Sequence, residues 1–152
     1  AFVTPLWHLG IDSLSVAYKK GTLLKWDGQV TLENKNVAWE RGYDFNKNGV
    51  IKVAVKLTEF KELKSALIML DLDRIDFIVD YNIALTGHIE KLKLSHKIEV
   101  ASDVISGHKY YMIFSDTEKG KALEKIWDNG MSRLHKTGEL QKLYHTYKDL
   151  AY

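Results

Sequence analysis

The spacing of hydrophobic and polar positions changes several times along this chain, and each change predicts an element. "LSVAY", Leu14 to Tyr18, is short, apolar and partly β-branched, and it ends at the turn chemistry of "KKGT", so it reads as a strand. A turn is expected at Asp27-Gly28 and a second strand at Asn36 to Trp39, closed by Gly42. "IKVAV", Ile51 to Val55, alternates after the turn-prone "NKNG" and reads as a third strand. From Thr58 the period lengthens. Phe60, Leu63, Ala66, Leu67 and Leu70 recur at three and four residues, the mark of an amphipathic helix with Thr58 as its N-cap.

Strand character returns at Ile75 to Val79, a helix is expected from Asp80 to about Leu92, and "KIEVA" and "KYYMIFS" read as further strands. The chain closes with a long helix striped by Leu123, Ile126, Trp127, Met131 and Leu134, a break near Gly138, and a shorter helix. Strands alternating with helices predict an α/β fold: a mixed, mainly parallel sheet flanked by helices, with a C-terminal helical segment. No repeat or low-complexity linker interrupts it.

Length and charge narrow the function classes. A chain of 152 residues is the size of one domain, and a formal charge of +2 is too small to point to nucleic acid. There is no cysteine, which removes disulfides, thiolate zinc sites and cysteine nucleophiles. No apolar run approaches the roughly 20 residues that cross a bilayer. The opening "AFVTPLWHLGID" lacks the basic start and long apolar stretch of a signal peptide, so the chain reads as a mature form, a fragment or a cytosolic protein.

In "DLDRIDFIVDYNIAL" a carboxylate stands at each end of an apolar run. Asp76 is expected at the start of the strand, solvated or hydrogen-bonded. Asp80 follows the strand, where an aspartate serves either as N-cap of the next helix or as a ligand contact at the C-terminal edge of an open α/β sheet. His88 and Glu90 match the first half of a zinc deaminase signature, which also needs two cysteines. Asp71, Asp73 and Asp76 resemble part of a calcium loop but lack its glycine and distal glutamate. No metal, cofactor or nucleophile and base constellation is therefore expected, and the chain reads as a non-enzyme. Trp7, Trp39 and Trp127 are expected to be packing residues, Tyr110 and Tyr111 to alternate across a strand, and the lysine clusters in "KALEK" and "KLKLSHK" to be solvated faces.

In sequence order, several segments are similar to the amino-acid-binding family of type II periplasmic solute-binding proteins (family 3). "ALIMLDLDRIDFIVDYNIAL" resembles the helix, turn, strand and functional aspartate of the second lobe, with Asp73 where the family commonly has glycine. "FVTPLW" is similar to the motif ending the first lobe, "SLSVAYKKGT" to the hinge strand after it, and "TLENKNVAWERGYDF" to the segment opening the second lobe. Gly138, Leu140, Leu143 and Tyr144 fit the closing helices. The resemblance implies one solute-binding-protein-like domain over residues 1–152. Within it, 1–19 are the end of lobe one and a hinge strand, 20–108 are lobe two, and 109–152 are the return hinge strand and closing helices. The first lobe would be absent, making the chain a fragment or truncated relative.

The same resemblance implies a ligand site at Asp80, Tyr81, Arg41, Gly42, Tyr43 and Asp44, with Asp80 accepting from a ligand ammonium. The family carries a serine or threonine after the glycine to hold the ligand carboxylate at backbone N–H groups, whereas Tyr43 and Asp44 follow Gly42 here. Asp44 would repel a carboxylate, and Arg41 is either solvated or turned inward to compensate. The implied function is periplasmic binding of a small polar solute such as an amino acid, delivered to an ABC permease or a sensor, with no nucleic acid partner. A homodimer through exposed hinge surface is also expected. Two other functions remain open: a signalling or interaction domain without ligand, and a dehydratase-like enzyme on the same fold.

Overall fold

A computed structural model describes residues 1–147 and 151–152. The chain divides into two compact units: one is continuous, Ser13–Gly107, and the other is assembled from both ends, Ala1–Asp12 with His108–Tyr152.

The continuous unit is built on a five-stranded sheet in the order β4-β3-β5-β2-β6, with β2 at Gly10–Lys19, β3 at Asn36–Glu40, β4 at Lys56–Phe60, β5 at Phe77–Asp80 and β6 at Ile98–Tyr110. β2 and β6 both run past the unit boundary. β3 pairs parallel with β4 and β5, and β2 runs antiparallel to β5, so the sheet is mixed. Its strands alternate faces with period two. Val37, Trp39, Phe77, Val79, Leu14 and Val16 enter one core with Leu32, Phe45, Val50 and Ile51. Ala38, Ile78 and Ala17 enter the other, under α1 (Leu63–Asp71) and α2 (Asn82–Lys91).

Three expectations fail in this unit. Ile51–Val55 is not a strand. Those residues belong to the crossover joining parallel β3 to β4, and their alternating side chains cover the second face of the sheet. Thr58 does not cap a helix but lies inside β4, paired with Ala38. Phe60 ends that strand and packs into the same core as Leu63, Leu67 and Leu70, so one apolar spacing crosses a strand-to-helix boundary. Asp80 is not an N-cap either: Tyr81 holds that position, and α2 starts at Asn82. Asp76, by contrast, does precede its strand, and its Oδ2 accepts from the Asn36 backbone N–H at 2.8 Å.

Both helices of this unit end in the same way without glycine. After α1, the Asp73 N–H donates to Leu70 O and the Arg74 N–H to Met69 O, with Asp73 at φ 56°. After α2, Lys93 and Leu94 donate to Glu90 O and Ile89 O, with Lys93 at φ 58°. These are Schellman closures, whose left-handed position ordinarily favours glycine.

In the other unit β1 (Phe2–Val3) pairs antiparallel with β7 (Phe114–Ser115). α3 (Glu118–Thr137) follows, capped by Thr117 Oγ1, which accepts from the Gly120 N–H at 3.1 Å. Gly138, left-handed at φ 77°, separates it from α4 (Glu139–Thr146). The N-terminal segment is clasped by these helices and the chain's last residues. Asp128 accepts the N–H groups of Leu6 and Trp7, and Trp127 donates to Trp7 O. The Tyr152 hydroxyl donates to His8 O at 2.6 Å while its ring stacks on His8 at 4.3 Å. The stripe expected on α3 is only partly a core seam, because Met131 is buried whereas Leu123 and Ile126 are 44% and 67% exposed. "KYYMIFS" is not one strand: β6 stops at Tyr110 and β7 begins at Phe114. Tyr110 and Tyr111 do not divide between core and surface, and both are partly exposed.

Candidate functional site

Strand order places the chemistry. β3 and β5 are parallel neighbours with Ala38 opposite Ile78, so two residues further along they end at Glu40 and Asp80. Ala38 and Ile78 face α1 and α2, and period two puts Glu40 and Asp80 on that same face. Ligands of open α/β sheets gather at the carboxyl ends of such strands. A concavity of about 390 Å³ opens there, walled by Glu40 and Tyr43 after β3, Lys61, Glu62, Leu63 and Lys64 where α1 begins, and Asp80, Tyr81, Ala84 and His88 from β5 and α2.

Asp80 is the most deeply placed ionisable group of the wall, 2% exposed. Its Oδ1 accepts the Tyr81 N–H at 2.7 Å, and among the described residues no cation pairs with it. Burial pushes its carboxyl above the usual carboxylate range, and the negative charge of Glu40 pushes the same way. The Tyr81 hydrogen bond, second in size to burial and ahead of Glu40, pulls in the other direction, as does His88, the smallest of the four. Glu40 and Asp80 place like charges at the ends of neighbouring strands, and these repel. That repulsion and the desolvation both fall when a cation enters. The Tyr43 phenol is likewise raised, first by burial and then by Asp80 and Glu40. Its ring meets Tyr81 edge to face at 6.0 Å and Phe45 at 5.0 Å, which fixes the aromatic side of the concavity.

Of the residues expected at the site, Asp80, Tyr81 and Tyr43 come together in this wall. Arg41, Gly42 and Asp44 do not line it. Arg41 is exposed, and its backbone N–H donates to Phe60 O. Gly42 adopts φ 96°, a conformation the turn requires and side chains resist. Asp44 Oδ1 accepts from Lys47 Nζ at 2.8 Å, within its own loop. Glu40, Lys61 and Lys64 are wall residues that the sequence reading passed over, and His88, weighed there only as half of a zinc signature, joins them. For Glu40 a signal was present, since the strand-end argument applied to Asp80 holds equally for the last residue of β3. His88 shows its Nδ1 to Ala84 O at 2.9 Å, one helical turn back.

At the opposite end of the sheet, a smaller concavity of about 270 Å³ is walled by Lys19, Lys35, Leu70, Asp76 and Phe77 among others. Its carboxylate, Asp76, already holds Asn36, and Lys19 holds Asp73 at 2.7 Å, so it offers less uncommitted charge. Among the described residues no cluster of three or more metal-ligating side chains occurs, and no helix is long and apolar enough to cross a membrane.

Several solved structures of amino-acid-binding proteins are similar to this chain. An ancestral arginine-binding protein bound to arginine superposes with a TM-score of 0.54 at 22% identity, covering 97% of this chain and 63% of that one. The fold is that of the amino-acid-binding substrate-binding proteins. An amino acid ABC transporter substrate-binding protein from Streptococcus pneumoniae bound to L-arginine gives 0.54 at 18% identity, covering 96% of this chain and 60% of that one. The GluR0 ligand-binding core from Nostoc punctiforme, in complex with L-glutamate, gives 0.54 at 18%, covering 97% and 66%. The chain thus spans somewhat under two thirds of the length of the first of these substrate-binding proteins. No family model matches it, and no curated protein matches it.

Proposed function

We propose that this chain is the ligand-binding lobe of an extracytoplasmic solute-binding protein, taking a small polar solute through an ammonium group, such as an amino acid or a related amine, for transport or sensing. One observation carries the reading: a carboxylate buried at the carboxyl end of β5, unpaired with any cation among the described residues, in the wall of a concavity of about 390 Å³. A buried charge without a counterion is costly, and a ligand cation relieves that cost while forming a charge-assisted hydrogen bond. The substrate-binding fold supports the reading, as do neighbours whose names record arginine and glutamate as ligands.

In this reading the chain binds and does not catalyse. Its partner is an ABC permease or a sensor domain, its location is periplasmic, and Asp80, Tyr81 and Tyr43 are the contacts. Two copies associate through exposed apolar surface, for which the hinge positions Met112 and Ile113 and the helix positions Leu123 and Ile126 are the candidates.

The test is a thermal-stability scan of the 152-residue chain against amino acids and amines, followed by calorimetry on any hit. A ligand of the folded state raises the melting temperature, and Asp80→Asn abolishes the rise. A hit indifferent to Asp80→Asn would place the ligand elsewhere, and a panel without hits favours the ligand-free signalling domain.

A further inference from the structure

Glu40 changes what the site can accept. It ends the strand beside Asp80, on the same face, and it lines the same concavity. Neither carboxylate is in an ion pair among the described residues. The two groups end neighbouring strands in one wall, so a cationic head seated in the concavity meets the charge of both. We infer that the Glu40 and Asp80 carboxylates together make this site select an aliphatic dication without an α-carboxylate, a diamine or an amine-bearing guanidine, over the corresponding amino acid. The inference rests on the proposed solute-binding role and adds the ligand class.

Three features support it. In an α-amino acid the carboxylate sits one carbon from the ammonium, so seating the ammonium between two carboxylates drives a third into their field. Two backbone N–H groups of the turn after β3, which could otherwise hold a ligand carboxylate, are already committed, Arg41 to Phe60 O and Tyr43 to Glu40 O. The Tyr43 and Tyr81 rings offer an apolar, π-rich wall to an alkylammonium chain.

Lys61 and Lys64 oppose a cation, but both are exposed at the mouth. Charges in water are screened over a Debye length of about 8 Å, whereas buried ones are screened far less. Asp80, the deepest of these charges, is therefore felt more strongly than the exposed lysines.

Matched ligands isolate the carboxylate: cadaverine against lysine, and agmatine against arginine, titrated calorimetrically into the full chain. The expected result is at least tenfold tighter binding of the decarboxylated member in both pairs. Glu40→Gln should reduce that preference below threefold, whereas Glu40→Asp, which keeps the charge, should retain most of it. Lysine or arginine binding as tightly as its amine, or a preference unmoved by Glu40→Gln, overturns the inference and leaves solute binding intact. Binding of neither member of either pair, with no other hit in the panel, overturns both.

Discussion

Ser15 stands directly opposite Asp80 in the antiparallel ladder of β2 and β5, and both are buried. Ser15 carries no charge that could neutralise its neighbour, and its Oγ accepts the Asp103 N–H at 2.8 Å. Asp80 thus keeps a raised pKa, first through burial. The folded state therefore binds its proton more tightly than the unfolded chain, whose carboxyl sits near 3.8. Stability from the protonated form is fully present below that value and is lost as pH rises through the folded pKa. Asp80→Asn should remove this loss and raise stability at pH 7. Urea unfolding of both proteins at several pH values from 4 to 7 checks the sign.

Ligand affinity should run the opposite way. A cation needs the ionised carboxylate, so affinity weakens as pH falls through the raised pKa and binding releases protons below it. Glu40→Gln removes a repulsion that raises this pKa, so the acid limb of the affinity profile should move to lower pH. Calorimetry in buffers of differing ionisation enthalpy reads the released proton directly.

Tyr152 closes the discontinuous unit. Its phenol is pushed up to about 12, first by burial and then by Tyr144 and Tyr111. Its contribution is present below the ordinary value of 10 and lost as pH rises towards 12. Tyr152→Phe removes the hydrogen bond to His8 O and should cost about 1 kcal/mol at neutral pH. The same variant should flatten the alkaline fall in stability, followed by urea unfolding between pH 9 and 11.

Asp73 and Lys93 hold left-handed positions where a Cβ is strained by roughly 1 kcal/mol or more. Lys93 is exposed, so Lys93→Gly should stabilise the chain by about 0.5 kcal/mol after the entropy of the added glycine is deducted. Asp73 additionally pairs with Lys19, so Asp73→Gly should be nearly neutral. Chemical denaturation distinguishes the two.

Leu123 and Ile126 present apolar surface on α3. If two copies meet there, light scattering should show a concentration-dependent dimer, and Leu123→Asp with Ile126→Asp should return it to monomer while leaving ligand binding at the Asp80 concavity unchanged. A monomer at millimolar concentration would refute the association.

Much of this fold was legible in the sequence because periodicity is local. Leu14–Tyr18, Asn36–Trp39 and the strand ending at Asp80 are the short apolar runs that buried strands show, and the Thr117 to Gly138 helix carries its own cap and stop. Misreadings arose where one spacing served two elements. Phe60 keeps helical register with Leu63 and Leu67 although it ends a strand, and Ile51, Val53 and Val55 alternate because a crossover covers a sheet face. Asp80 could be singled out from its place after an apolar run. Glu40 could be paired with it only once β3 and β5 were neighbours in register, which is information carried between strands and not within either.

The unit made from Ala1–Asp12 and His108–Tyr152 has a consequence for folding kinetics. Ser13–Gly107 is one continuous stretch, whereas Leu6 and Trp7 reach Asp128, and His8 reaches Tyr152, over separations of 122, 121 and 144 residues. Contacts so distant along the chain close slowly, so this unit should supply the slower phase of refolding.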